Sequence, residues 1–230
     1  MNTYRKNAIS VGVLFITATV LNVVGNNLYN PLLDDANYLA RISANEKPVI
    51  LGVLLVLLSA FASAGIAIGL YPVLRKHNET LALGSVGFRL IEGMLYIVAV
   101  VGVLSLVTLS REYVKSGASN TSLFRASGTL LLAIDNWAGQ LSVIAFTVGG
   151  LMYYYVFYHS KLVPRWLSIW GFLAAALSLT AALLGVFGRI IPFSAIFIFL
   201  QLPIGLQEYV LAFWLIAKGF NSSAIASVRR

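Results

Sequence analysis

The chain has 230 residues, 59% of them hydrophobic and only 10% charged, with a formal net charge of +8. Soluble domains carry about 25% charged residues, so a water-exposed fold with this chain's mean hydropathy of +0.87 would present apolar surface on every side. Apolar runs of roughly 20 residues recur from end to end, which makes lipid the solvent and excludes a soluble globular class.

The charge has a topological reading. Of the 16 Lys and Arg residues, all but Arg89 are spread over the short connections and the ends of the chain and are not gathered on one patch, so nucleic acid is excluded as a partner. The sequence contains no cysteine, which removes disulfides and thiolate sites. Only His77 and His159 offer imidazole, and both fall at segment ends, so neither a metal nor a cofactor is expected.

Taken in chain order, the hydropathy predicts an all-α, polytopic six-transmembrane-helix bundle with short loops, forming a single transmembrane domain over 1–230. Span one covers about 8–28. Arg5 and Lys6 precede it, but the run is longer than a signal-peptide core and has no clear small-x-small cleavage site, so it reads as a retained span. Asn22 and Asn26 lie in its second half. The polar segment 29–48 contains "LLDDANYLARI", whose pattern fits a short amphipathic helix on the membrane surface. Span two, about 49–71, is rich in Ala, Ser and Gly. Span three, about 80–109, carries Arg89 and Glu92, and a hydrophilic connection over 110–129 follows. Span four, about 130–158, opens on "LLAIDNWAGQ" with Asp135, Asn136 and Gln140 and ends in the aromatic run "YYYVFYH". Span five, about 167–187, is introduced by Pro164, Arg165 and Trp166, an interfacial helix start and headgroup anchor. Span six, about 192–217, contains Gln201, Pro203, Gln207 and Glu208.

Six spans place both termini on one side. That side carries Arg5, Lys6, Arg75, Lys76, Lys161, Arg165, Lys218, Arg229 and Arg230, and the other carries Arg41, Lys47, Arg111, Lys115, Arg125 and Arg189. The positive-inside rule therefore favours cytoplasmic termini. Tyr153 to Tyr155, Tyr158, Trp166 and Trp170 fall towards the same face, where rings with polar edges sit among headgroups. A shift of 116 residues aligns Pro48 with Pro164, Gly69 with Gly185 and Glu92 with Glu208, which admits a weak 3+3 inverted repeat. Chance matches in so Leu- and Ala-rich a chain give the same picture.

The polar residues within the spans are the candidate site. A charge near the centre of a membrane helix costs roughly 2.5–3.5 kcal/mol on insertion scales. Arg89 and Glu92 share a face at i,i+3, so they neutralise one another within one helix or line a polar interior. Thr19, Asn22 and Asn26 on span one, Asn136 and Gln140 on span four, and Gln201 and Glu208 on span six also recur in helical register. Spans two and five carry small residues instead, which lets helices approach closely. The expectation is that spans one, three, four and six converge on a polar cavity open towards the cytoplasmic half, while two and five mostly pack. Counted inward at 1.5 Å per residue, Arg89 and Glu208 lie at similar depths of roughly 15 Å, and Asp135 and Asn26 lie nearer the outer face. One cation then faces three carboxyls, Glu92, Asp135 and Glu208. The unmatched carboxyls must be neutral, hydrated or balanced by a bound cation.

Two stretches, "FRLIEGMLYIV" at 88–98 and "YYYVFYHSKLVPRWLSIWG" at 153–171, together with the six-span layout, resemble a bacterial membrane family catalogued as domain of unknown function 4386. Arg89, Glu92, Pro164, Arg165 and Trp166 are the matching motif positions. The resemblance implies a bacterial plasma-membrane protein and brings no activity with it. Three readings stand. The first is binding or transport of a small or amphiphilic ligand, cationic or proton-coupled. The second is a noncatalytic sensor, immunity or assembly partner of another membrane protein. The third is an enzyme using carboxyls as acid and base on a lipid or isoprenoid. The bilayer is the partner common to all three.

Overall fold

Inside a bilayer every backbone N–H and C=O must be satisfied within its own segment, so apolar runs of spanning length become helices. The computed structural model describes residues 3–117, 121–192 and 194–226. Among these residues there are eight helices and no strand: α1 (Thr3–Leu33), α2 (Tyr38–Ala44), α3 (Glu46–Leu74), α4 (Glu79–Lys115), α5 (Thr121–Ser160), α6 (Arg165–Val186), α7 (Ala195–Ala217) and α8 (Ser222–Ala226). Six of them, α1 and α3 to α7, are long and apolar enough to cross a membrane, and the protein is an all-α multi-pass membrane protein. Arg229 and Arg230, counted above on the side of the termini, lie outside the described residues.

Local chemistry sets several boundaries. The Asn78 side chain accepts from Leu81 N at 3.0 Å and caps α4, and Ser194 accepts from Phe197 N at 3.4 Å and caps α7. Pro164 is the N-cap of α6, with φ −55°. Pro203 lies inside α7, which runs through it as one helix.

The hydrophilic connection expected over 110–129 is largely helical, with α4 continuing to Lys115 and α5 starting at Thr121. Polarity marks where the helix leaves lipid and does not end it, because the intrahelical bonds continue. Arg111 donates to Glu46 from Nε and Nη2 at 2.8 and 2.7 Å, and Tyr113 meets Phe124 edge to face at 5.6 Å. The short helix expected in 29–48 is α2, which packs against α4.

Neighbours in sequence are neighbours in space from α1 through α3, α4, α5 and α6 to α7, and α7 returns to α1. Each pair runs antiparallel over short connections, so the six spanning helices form a closed ring. The closure is tight: Arg5 donates to the carbonyl of Leu215 at 2.9 Å, at the last turn of α7. The α1–α3 crossing is closer still. A Cβ built on Gly25 would stand 2.6 Å from the carbonyl oxygen of Gly52, and one on Gly52 equally close to that of Gly25. Only glycine at both positions allows that approach.

Two apolar cores fill the ring. One, around Phe15, Leu70, Tyr154, Phe157, Leu167 and Leu211, draws on all six spanning helices. The other, around Tyr29, Ile42, Val53 and Leu106, is built from α1 to α4. The division follows length. Helices α4 and α5 have 37 and 40 residues against 22 and 23 in α6 and α7, so the α4–α5 hairpin extends about 20 Å further.

Candidate functional site: a charged cluster inside the bundle

The charged residues of α4 and α7 meet at one level because Arg89 follows the N-terminus of α4 by about as many residues as Glu208 precedes the C-terminus of the antiparallel α7. Arg89 is 2% exposed, Glu92 3% and Glu208 8%. Arg89 Nη1 donates to Glu92 Oε2 at 3.2 Å and to Ser63 Oγ at 2.8 Å, and Nη2 donates to Glu208 Oε1 at 3.3 Å and to Tyr153 Oη at 3.1 Å. Ser63 Oγ lies 3.0 Å from both carboxylate oxygens of Glu92 and donates to that carboxylate. One guanidinium thus joins α3, α4, α5 and α7. Its plane also has aromatic company, with the Phe146 and Tyr153 ring centroids 4.5 and 5.7 Å from Cζ. Arg89 Nε is buried without a hydrogen-bond partner among the described residues.

The pairing within α4 and the pairing between α4 and α7 therefore coexist. A fork of five N–H donors allows this, since its two ends reach different carboxylates. The shift that aligned Glu92 with Glu208 in sequence also pairs the two carboxylates that meet on Arg89.

A second polar series continues from this cluster towards the longer end of the bundle. Tyr96, one turn beyond Glu92, lies near the Asn22 and Ser142 side chains. Asn22 Nδ2 contacts Ser59 Oγ at 3.5 Å, Asn26 Nδ2 donates to Asn22 Oδ1 at 3.2 Å, and Tyr29 Oη donates to Asn26 Oδ1 at 3.0 Å. Tyr29 in turn lies in the field of Asp135. Thus Asn22, Asn26 and Asp135 do not touch Arg89 but extend from it, along the inside of the ring.

Other candidates lie apart. Asn136 is exposed and donates to the carbonyl of Leu132 in its own helix at 3.0 Å. Gln201 accepts from Ser178 on α6, and its Nε2 is buried without a partner among the described residues. Gln140 is buried, its Oε1 likewise unpartnered, next to Gly185. Trp166 is exposed and stacks on Trp170 at 6.4 Å, and Arg165 covers the Tyr158 ring at 5.3 Å. Two cavities, of 570 and 560 Å³, are lined by other residues than the charged cluster.

Helices α3 and α6, expected mostly to pack, also supply polar partners. Ser63 of α3 holds both Arg89 and Glu92, Ser178 of α6 donates to Gln201, and Gln207 Nε2 donates to the carbonyl of Leu167 in α6 at 3.1 Å. A serine is small enough to read as a packing residue and still carries a donor and two acceptor sites. The aromatic run is corrected. Tyr155 and Tyr158 are exposed, but Tyr153 and Tyr154 are each 1% exposed and face the interior. There Tyr154 donates to Gln207, while Tyr153 accepts from Arg89. Helical periodicity carried the available signal: Phe146, Tyr153 and Phe157 follow one another at i, i+7 and i+11 on the face that holds Gly149 and Gly150.

No curated protein and no solved structure matches the chain. The family described as "Domain of unknown function (DUF4386)" matches residues 10–219, which include the whole charged cluster, and to that family the chain belongs.

Proposed function

We propose that this membrane protein binds or transports a proton or a small cationic ligand, using the Arg89–Glu92–Glu208 cluster as the charge-compensating site. The supporting observation is the charge ratio at one point. Arginine keeps its proton in proteins, so one guanidinium balances one carboxylate and a second carboxylate is left over, buried at the same guanidinium. A buried unpaired charge is expensive, and a proton or cation relieves it. The polar series through Tyr96, Asn22, Asn26 and Tyr29 towards Asp135 supplies hydroxyl and amide groups along the interior for such a species. We place the protein in a bacterial plasma membrane with cytoplasmic termini, on the family resemblance and on the positive-inside rule.

The test is reconstitution into liposomes with an enclosed pH-sensitive dye and an imposed potential, repeated with tetraphenylphosphonium as a lipophilic cation. Protein-dependent flux that Glu208→Gln and Glu92→Gln abolish, with thermal unfolding little changed, is the expected result. Absence of any flux, together with no thermal shift by tetraphenylphosphonium between pH 5 and 8, would overturn the proposal.

A second reading, a noncatalytic membrane partner with a cohesive polar core, rests on a specific observation: the hydrogen bonds of the cluster are made within the chain, to Ser63, Tyr153, Glu92 and Glu208. It predicts that the same Gln variants lower stability without affecting any flux, and that another membrane protein co-purifies.

A further inference from the structure

The two ends of the bundle are charged differently. At the end that holds the α2 segment and the α4–α5 turn, Arg41 pairs with Asp35, Arg111 with Glu46 and Lys115 with Glu112, at 2.7–2.8 Å, while Lys47, Arg125 and Arg189 are in no ion pair among the described residues. The opposite end carries Arg5, Lys6, Arg75, Lys76, Lys161, Arg165 and Lys218 against one carboxylate, Glu79, and none of these cations is in an ion pair among the described residues.

Three of these cations meet at one cavity. A space of 570 Å³ opens where the α5–α6 turn meets the segment after α7, and Lys161, Arg165 and Lys218 all line it. Among the described residues no carboxyl side chain lines it; Asn221, Ser222 and the indole-bearing Trp214 do. Its walls are fixed. Asn221 N donates to the carbonyl of Leu162 at 2.9 Å, clipping the chain after α7 to the α5–α6 turn, while Leu162 and Val163 are buried beneath. The carbonyls at the end of α7 are taken by Arg5, which leaves Lys218 free of that capping role. Lys161 sits in the left-handed region, at φ 57°, where glycine is the low-cost residue. A cationic side chain is held there against the backbone preference.

We infer that this cavity binds the phosphate group of an anionic ligand. Basic pockets at the ends of membrane helices take anionic headgroups in this manner, and Arg165 and Lys supply respectively a planar fork and point charges for phosphate oxygens. The cavity lies beside exposed Tyr158 and Trp166, at the level where aromatic rings meet lipid headgroups. A phosphodiester lipid and a soluble phosphate monoester share this chemistry, and the experiment separates them.

The full-length protein, purified in a neutral detergent, is titrated with phosphatidylglycerol, phosphatidylcholine and glycerol 3-phosphate, following bound lipid by native mass spectrometry and unfolding by thermal shift. Saturable binding of phosphatidylglycerol in preference to phosphatidylcholine, weakened at least about tenfold in Lys161→Gln/Arg165→Gln/Lys218→Gln, is expected for a lipid headgroup. The same loss seen with glycerol 3-phosphate would assign a soluble phosphate ligand to the same residues. The control is Lys47→Gln/Arg189→Gln at the other end of the bundle. Equal binding of phosphatidylcholine, or a loss as large in the control as in the triple variant, would overturn the inference. The substituted side chains are exposed, so a folded triple variant is expected, and its unaltered unfolding midpoint without ligand checks this.

Discussion

At Arg89 a fixed cation holds two carboxylates, a serine, a tyrosine and two aromatic faces. Its removal and the removal of a carboxylate have opposite electrostatic consequences. Arg89→Met leaves Glu92 and Glu208 buried with no cation between them, and breaking buried ion pairs from one side costs about 3–5 kcal/mol. Glu208→Gln removes the surplus charge and keeps a hydrogen-bond acceptor, so a change within about 1 kcal/mol is expected. Reversible unfolding of the purified protein measures both, and Arg89→Met/Glu92→Gln/Glu208→Gln should regain part of what Arg89→Met loses. Arg89→Lys is not a conservative change here, because a point charge cannot reach two carboxylates with a rigid fork; flux should fall as in Glu208→Gln. Near-equal stability of Arg89→Met and the native protein would remove the electrostatic account of the site. Outside the membrane, Asp35 is a titration marker. The backbone N–H of Asn37 first, and then Arg41, hold its carboxyl below the usual range. A depressed carboxyl contributes stability that is full above its unfolded value and is lost as pH falls through the lowered one. Exchange of the α2 amides, corrected for intrinsic rate, should therefore rise on acidification through that range, and Asp35→Asn should show the faster exchange already at neutral pH.

Among the elements, two glycine contacts set how near helices come, and they differ in what they face. Gly171 of α6 lies against the Tyr154 ring, and an added Cβ would stand 2.2 Å from its Cε1 atom. Gly171→Val should displace Tyr154 from Gln207 and lower stability by about 1–3 kcal/mol, and Tyr154→Ala in the same chain should recover part of the loss. A Cβ added at Gly25 would stand 2.6 Å from the backbone carbonyl oxygen of Gly52, and no rotamer change relieves that clash. Gly25→Val should therefore separate α1 from α3 with no single-residue rescue. Unfolding midpoints of these variants distinguish the cases. The long α4–α5 hairpin shows the complementary point, that a helix extends past the lipid when its polar end finds partners such as Glu46.

For the whole molecule, the ring of six antiparallel helices puts both described ends of the chain on the side that carries Lys161, Arg165 and Lys218. The native sequence contains no cysteine, so single-cysteine variants report topology without background. With cytoplasmic termini, Lys115→Cys should react with a membrane-impermeant maleimide in intact cells, and Lys218→Cys only after permeabilisation. The reverse pattern would turn the bundle over and place the phosphate-binding cavity on the outer face.

The six spans, the short helix near Tyr38 and the start of α6 at Arg165 were legible in the residues, because bilayer length, backbone satisfaction and the effect of proline act within a single segment. The similar depth of Arg89 and Glu208 followed from helical rise for the same reason. Depth says nothing about which faces meet. That Ser63 and Tyr153 complete the cluster, that Asn136 points away and that Asp135 stands at the far end of a separate polar series depended on how each helix is rotated against its neighbours. Packing of side chains from different helices decides that rotation. In a chain where nearly every helical face is apolar, hydropathy cannot distinguish a face turned to lipid from one turned to another helix.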